Sequence, residues 1–403
     1  MSLRPSLNAF LAKARDALAS PAAQRPNPLT LVVGNESADL DSLCSAVVYA
    51  YLRSTTLPSP TLHIPLSNLH RADLALRPEF TSALARAHLQ PSELLTLDNL
   101  PSVLDPRATR WVLVDHNALT GALAKRGFSD HVVGCIDHHA DEGRVPPTDG
   151  TDEPRVIEKC GSCASLIAGF CRPAWEEALR SRGGQIEEPD AHIARLALAP
   201  ILVDTAGLKA GDRTTDADVQ AVEFLEGLLQ DDPSYARDTY VDELMRTKED
   251  LSGLGFRDIF RKDYKQWEER GAVLGISSVV KGLDYLLGDK AGGDAEVFLE
   301  AFRKWAEEEK KLDVAVIMTT ARPGGEFQRE LLVWAFNEAA VAVAEGFVDT
   351  FGAELGLETW REGGLDLVEG GVWRKAWKQR NVKHSRKKVG PMLREAMNGN
   401  SRL

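Results

Sequence analysis

Short apolar runs rich in β-branched residues alternate along this chain with stretches whose apolar positions recur every three or four residues. Residues 29–33 (Leu-Thr-Leu-Val-Val), 62–66, 111–114 and 132–136 are of the first kind and predict strands. Residues 7–18, 42–53, 78–89, 119–126, 161–170, 191–203 and 216–228 predict helices, with Pro78 tolerated in a first turn and Ser162 as a cap. Strands alternating with helices predict an α/β fold with a parallel sheet covered on both faces. Farther on, helices at 240–251, 294–309 and 337–352 and strands at 272–280 and 313–320 predict a smaller α+β domain. The polar, turn-rich residues 230–234 lie between the two patterns. The expected division is a first domain over 1–230, a linker over 231–240 and a second domain over 241–403. The charge run at 305–311 predicts a solvated helix end.

Four acidic or histidine clusters follow apolar runs: Asp39-Leu40-Asp41, Asp115-His116-Asn117, Asp137-His138-His139 and Asp204. Three of them close predicted strands, and a parallel sheet places its chemistry beyond the strand C-termini. Carboxylates and imidazoles are costly at the edge of an apolar core unless something compensates them, and divalent cations would do so. Each cluster alone has an ordinary reading. Asp41 before Ser42 suits a helix cap, Asp115 a turn, and His138-His139 a surface pair. Taken together, four carboxylates and a histidine suit two metal ions about 3.5–4 Å apart, bridged by one carboxylate and activating a water between them.

Asp and Glu number 60 against 48 Lys and Arg, a net charge of −12, which argues against a nucleic-acid binder. The charge is uneven, because residues 374–388 carry Arg374, Lys375, Lys378, Arg380, Lys383, Arg386, Lys387 and Lys388 without an acid. Such a stretch can hold a polyanion, or it can be a solvated tail. The five cysteines and the lack of a signal segment argue against a disulfide framework. Cys160-Gly161-Ser162-Cys163 has the spacing of a zinc knuckle or redox dithiol, or of reduced thiols at a helix start. No apolar run is long enough for a membrane span. A cytoplasmic location is expected, with the mitochondrial matrix as the alternative because Arg4, Lys13 and Arg15 precede the first Asp. A monomer is favoured.

Residues 34–42 (Gly-Asn-Glu-Ser-Ala-Asp-Leu-Asp-Ser), 114–117, 137–139 and 200–205 resemble, in order, the motifs of the DHH phosphoesterases. Residues 385–388 (Ser-Arg-Lys-Lys) resemble the signature of the C-terminal domain shared by family II inorganic pyrophosphatases, eukaryotic cytosolic exopolyphosphatases and prune-type proteins. The resemblance spans residues 29–400 and implies two domains with the active site in the cleft between them. It implies Asp39 and Asp204 on one divalent ion, Asp41 and His138 on the other, and Asp115 bridging. The ions would be Mg²⁺ or Mn²⁺, with Co²⁺ an alternative. His139 would meet substrate phosphate as a general acid, oriented by Asp137. Arg386 and Lys387 would clamp terminal phosphates, and Lys209 and Lys265 resemble further phosphate-binding lysines.

One departure separates subfamilies. Asn35 stands where family II pyrophosphatases carry a metal-binding His, and Ser37-Ala38 where they carry Asn-Pro. Asn35, read as substrate-binding, makes the chain resemble the fungal-type exopolyphosphatases, which release orthophosphate from linear inorganic polyphosphate. Alternatives are a hydrolase of pyrophosphate, a nucleoside tetraphosphate or a cyclic nucleotide, and a non-catalytic prune-like scaffold. The scaffold predicts lost ligands, yet all five ligand positions are filled. The glycine-rich signature of nuclease-type relatives is missing, which disfavours a nuclease.

Overall fold

The computed structural model describes residues 4–56, 61–147 and 152–399. Its N-terminal half is built on a parallel sheet of β1 (Leu29–Val33), β2 (His63–Leu66), β3 (Thr109–Val114), β4 (Val132–Asp137) and β5 (Arg155–Ile157), in the order β2-β1-β3-β4-β5. Consecutive residues are buried along Leu31–Val33, Trp111–Val114 and Cys135–Asp137, so both faces of the central strands are covered. The covering helices are α1 (Leu7–Ala19), α2 (Leu40–Thr55), α3 (Pro78–Arg86), α4 (Gly121–Lys125), α5 (Cys163–Ser181), α6 (Glu188–Asp204), α7 (Asp216–Gly227) and α8 (Arg237–Glu249). Val33 pairs with Leu113, and Val114 with Ile136, so Gly34, Asp115 and Asp137 leave the sheet along one edge.

Helix α5 runs well past its expected end at residue 170, through Pro173. Its apolar face continues through the buried Cys171 and Trp175, and the Trp175 indole donates to Asp190 of α6 at 2.7 Å. That packing carries the helix past the proline, whose missing N–H is usually a stop. The chain divides into two compact units, Met1–Lys248 and Glu249–Leu403. The division falls after the expected linker residues 231–240, because Tyr240 and Leu244 of α8 are buried in the first unit's apolar core. No helix of the described residues is long and apolar enough to cross a membrane.

The second unit holds α9 (Phe256–Lys262), β6 (Tyr264–Glu269), β7 (Ala272–Val279), α10 (Leu283–Tyr285), α11 (Ala295–Arg303), β8 (Val314–Thr319), β9 (Arg329–Ala335), α12 (Glu338–Leu355), β10 (Leu357–Thr359), β11 (Leu367–Glu369), β12 (Val372–Gln379) and α13 (Arg386–Gly399). Its mixed sheet has the order β10-β12-β9-β8-β7-β6, with β11 paired to β12 and only β7 and β8 parallel. Leu331, Val333 and Ala335 of β9 face α12 and α13 in one core. Trp334, between them, points to the other face and meets Phe302 of α11. At the expected solvated helix end, Trp305 and Ala306 are buried and only the charges beyond them are outside the core.

Strand β12 divides the basic stretch of 374–388. Arg374 is buried over the Trp334 ring, 4.3 Å from its centroid, and donates to the Leu365 carbonyl at 2.7 Å. It is a packed arginine, whereas Arg386 opens α13.

Candidate active site

The C-terminal edge of the parallel sheet gathers most of the expected residues. Asp115 lies just beyond β3 in the left-handed region, at φ +62, and is 2 % exposed. A non-glycine residue held there is costly, and such positions concentrate where the surroundings dictate a side chain's direction. Here Asp115 Oδ2 accepts hydrogen bonds from Ser42 Oγ at 2.6 Å and Asn35 Nδ2 at 2.8 Å. Its Oδ1 lies 3.1 Å from His138 Nε2. Gly34 permits this closeness, because a Cβ there would stand 2.6 Å from the Cβ of Ser42.

The Asp39–Asp41 turn resolves the capping question. Asp39 is the N-cap of α2, accepting from the Ser42 amide at 3.1 Å, while Asp41 sits in the first turn. Before them, Ala38 has φ +44, and Arg77 holds the turn through the carbonyls of Ser37 and Ala38. Asp41 reaches the start of α5, where Ser162 Oγ, the Cys163 amide and the Ala164 amide donate to it at 2.9, 2.7 and 3.1 Å. Ser45 Oγ adds a fourth bond at 3.1 Å. A helix N-terminus suits a carboxylate. Three of the four bonds fall on Oδ1, leaving Oδ2 with one donor and 3.9 Å from His138 Nε2.

The histidine pair is oriented from behind. The His138 ring donates from Nδ1 to the Cys160 carbonyl at 3.0 Å, turning Nε2 toward the carboxylates. Asp137 is fully buried and accepts from the His139 ring Nδ1 at 2.8 Å and from Asn117 Nδ2 at 2.5 Å. His139 is therefore gripped by one ring nitrogen and half exposed by the other. Ligand atoms of Asp115, His138 and His139 lie within 4.8 Å of one another. His116 turns away, its ring Nδ1 on the Val114 carbonyl at 3.0 Å, and burial lowers its pKa.

Asp204 is the last residue of α6, followed by left-handed Ala206 and Leu208. No hydrogen bond to its carboxylate is present among the described residues. Burial raises its pKa to about 7; Lys248 opposes this, while the charges of Asp39 and Asp115 add to it. Desolvation by the groups around it, and then the charge of Asp115, raise the Asp39 carboxyl as well. Burial opposes protonation of His138, but its bonds to Asp115 and Cys160 and the nearby carboxylates overcome this and push it up to about 12. A group of carboxylates that raises its own pKa values and draws a proton onto a buried imidazole is short of positive charge. This imbalance, with oxygen and imidazole donors facing one another, fits hard divalent cations.

Among the remaining expected residues, Lys209, Asn35 and Arg386 have partners of their own. Lys209 is exposed on the loop after α6 and paired with Asp238 at 2.9 Å. Asn35 spends its amide on Asp115, so it acts on a carboxylate neighbour. Lys265, Arg386 and Lys387 belong to the second unit. There Arg386 donates to the carbonyl and side chain of Asp263 at 2.9 and 2.6 Å, which brings it to the start of β6, two residues from Lys265. Lys387 is exposed in the first turn of α13. Cys160 and Cys163 are buried free thiols that donate to the carbonyls of Ser162 and Ile136 at 2.9 and 3.2 Å.

Sequence reasoning missed Ser42, Ser45, Arg77 and Lys248. Ser42 and Ser45 could be read as first-turn hydroxyls beside Asp39 and Asp41. Lys248 has no local signal: it is half-buried, and only tertiary packing brings its charge to Asp39 and Asp204.

Sheet order, edge cluster and second unit together define a two-domain phosphoesterase architecture. The chain belongs to the DHH family: residues 30–201 match the DHH family N-terminal domain, and residues 242–396 match the DHHA2 domain. It is 34% identical over 91% of both chains to a Schizosaccharomyces pombe protein named "Putative exopolyphosphatase". It is 30% identical to the Bos taurus "Exopolyphosphatase PRUNE1", over 93% of this chain and 77% of that one. A Methanothrix thermoacetophila "Manganese-dependent inorganic pyrophosphatase" is 27% identical over 80% of this chain and 89% of its own. The fold matches the crystal structure of a Methanococcus jannaschii "putative family II inorganic pyrophosphatase" with a TM-score of 0.54 and 22% identity, covering 91% of this chain and 99% of that one.

Proposed function

We propose that this protein is a metal-dependent exopolyphosphatase that removes terminal phosphates from linear inorganic polyphosphate. It is a hydrolase acting on phosphoric anhydrides, the class to which its exopolyphosphatase and pyrophosphatase relatives belong. The observation that carries the site is Asp115, held by Ser42, Asn35 and His138 at the meeting point of carboxylates whose charges raise one another's pKa values. Asp39, Asp41, Asp115, His138 and Asp204 would hold two divalent ions, Mg²⁺ or Mn²⁺; the manganese in the relatives' names supports the second. Such ions, when bound, supply activation of a water and neutralisation of phosphoryl oxygens.

The side chains have separate tasks in this reading. Asp115 would be the ligand shared by the two ions, and its Ser42 and Asn35 bonds keep it in place. Asp137 holds His139 by Nδ1, leaving Nε2 to meet a phosphate oxygen and protonate the leaving group. Arg386 and Lys387 bind terminal phosphates, the first as a fork and the second as a point charge, with Lys265 and Lys209 as further cations. The surface pair of Lys209 with Asp238 is cheap to break.

Polyphosphate is favoured over pyrophosphate because Asn35 presents an amide donor to Asp115 where an imidazole ligand would add to the ion site. Pyrophosphate is the second reading, supported by the Methanothrix relative. Phosphate release from long-chain polyphosphate and from pyrophosphate, each with Mg²⁺, Mn²⁺ and Co²⁺, separates them. Faster hydrolysis of pyrophosphate with none of the long chain would sink the preferred reading.

A further inference from the structure

A second group of metal-type ligands lies at the opposite end of α6 from Asp204. Glu188 and His192 are four residues apart on the first turns of α6, which places them on one face. His88 follows α3 and packs its ring against that of His192, with centroids 4.3 Å apart and planes at 16°. One ligand atom from each of the three lies within 4.8 Å of the other two. His192 is 8% exposed, yet no hydrogen bond to its ring is present among the described residues. Glu188 Oε1 stands 3.6 Å from its Nε2, beyond hydrogen-bond range. A buried imidazole usually has a partner.

We propose that His88, Glu188 and His192 form a zinc site distinct from the catalytic centre. Two ligands about 2.1 Å from one ion at a tetrahedral angle stand about 3.4 Å apart. The 3.6 Å between His192 and Glu188 is close to that separation and too long for a hydrogen bond. Burial, and then the neighbouring His88, lower the pKa of His192. Arg195 also faces this ring, but its guanidinium is paired with Asp232. The stacked rings cannot both aim a lone pair at one ion, so His88 turns about its side-chain torsions on binding. It is exposed and free to do so. Two imidazoles and one carboxylate favour Zn²⁺ over the hard ions that suit the carboxylate-rich centre. Three protein ligands leave a fourth position for water. The ion would tie the end of α3 to the start of α6, the helix that carries Asp204.

Equilibrium dialysis against micromolar Zn²⁺ in excess Mg²⁺ tests this on the whole protein. The wild type should retain about one more zinc per chain than either His88→Ala or His192→Ala. Hydrolysis with Mg²⁺ should be the same in all three, so this result stands apart from the functional reading. Equal zinc content in wild type and variants overturns the proposal. Should His192→Ala fail to fold, the exposed His88→Ala decides the matter alone.

Discussion

Ser42→Ala removes the shortest hydrogen bond to the central carboxylate and changes little else in volume. The Ser42 hydroxyl donates to Asp115 Oδ2 at 2.6 Å and accepts from the Asn35 backbone N–H at 3.1 Å. A hydrogen bond to a charged group is worth about 1.5–3 kcal/mol, and the orphaned Asn35 amide adds to the loss. Asp115 keeps Asn35 Nδ2 and His138, so its position loosens rather than collapses. Outer bonds that orient metal ligands typically carry about 10–100-fold in metal affinity or activity. The half-saturating Mg²⁺ or Mn²⁺ for phosphate release should rise by about that factor, with much of the rate recovered at high metal. Ser45→Ala is the internal control. It also removes a hydroxyl from a site carboxylate, but Asp41 keeps Ser162, Cys163 and Ala164 as donors. Its metal dependence should shift about threefold or less. Two folded variants with equal shifts, or no shift for Ser42→Ala, would refute the assignment of Asp115 as the shared ion ligand.

Other outcomes follow from the same geometry. Lys248→Met takes a positive charge from beside Asp39 and Asp204, so half-saturating metal should fall by about 3–10-fold with solvent screening. An unchanged or raised half-saturating metal would count against Lys248 acting on those carboxylates. In EDTA the Asp204 carboxyl, ionising at about 7 when folded, binds a proton that the unfolded chain has already lost. Its contribution to stability is thus fully present below the unfolded value of about 3.9 and is lost progressively as pH rises to about 7. The midpoint of thermal unfolding without metal should fall across that window, and saturating Mn²⁺ should flatten the fall; parallel curves with and without metal would contradict the reading. Gly134→Ala would set a Cβ 2.7 Å from Glu153 Cβ and 3.0 Å from the Pro154 carbonyl. Prising β5 from β4 should destabilise the protein by about 1–3 kcal/mol in chemical unfolding, and an unchanged midpoint would show that this edge gives way freely.

The parallel sheet was legible because each buried strand is a short apolar run ended by a chemical residue, as in β1, β3 and β4. Edge strands were not. Strand β6, Tyr264–Glu269, sets Tyr264 and Trp267 three apart among charged and polar residues because the sheet ends there, so the apolar alternation that marks a strand is missing. Strand β12 was hidden for a related reason: its lysines and arginines read as one basic stretch, a polyanion site or a solvated tail, whereas Arg374 is buried on a tryptophan.

For the site, the sequence by itself determined which carboxylates and imidazoles close the strands and the edge they share. Strand period and register force Asp115 and Asp137 to leave neighbouring strands together. Only the tertiary structure decided which atoms meet. It made Asp39 the cap, committed Asp41 to α5, turned Asn35 onto Asp115 and brought Lys248 to the carboxylates. The physical reason is range. Periodicity and turn chemistry act over a few residues, whereas a carboxylate's partners and pKa are set by groups on other elements, brought close only when the apolar faces between them are buried.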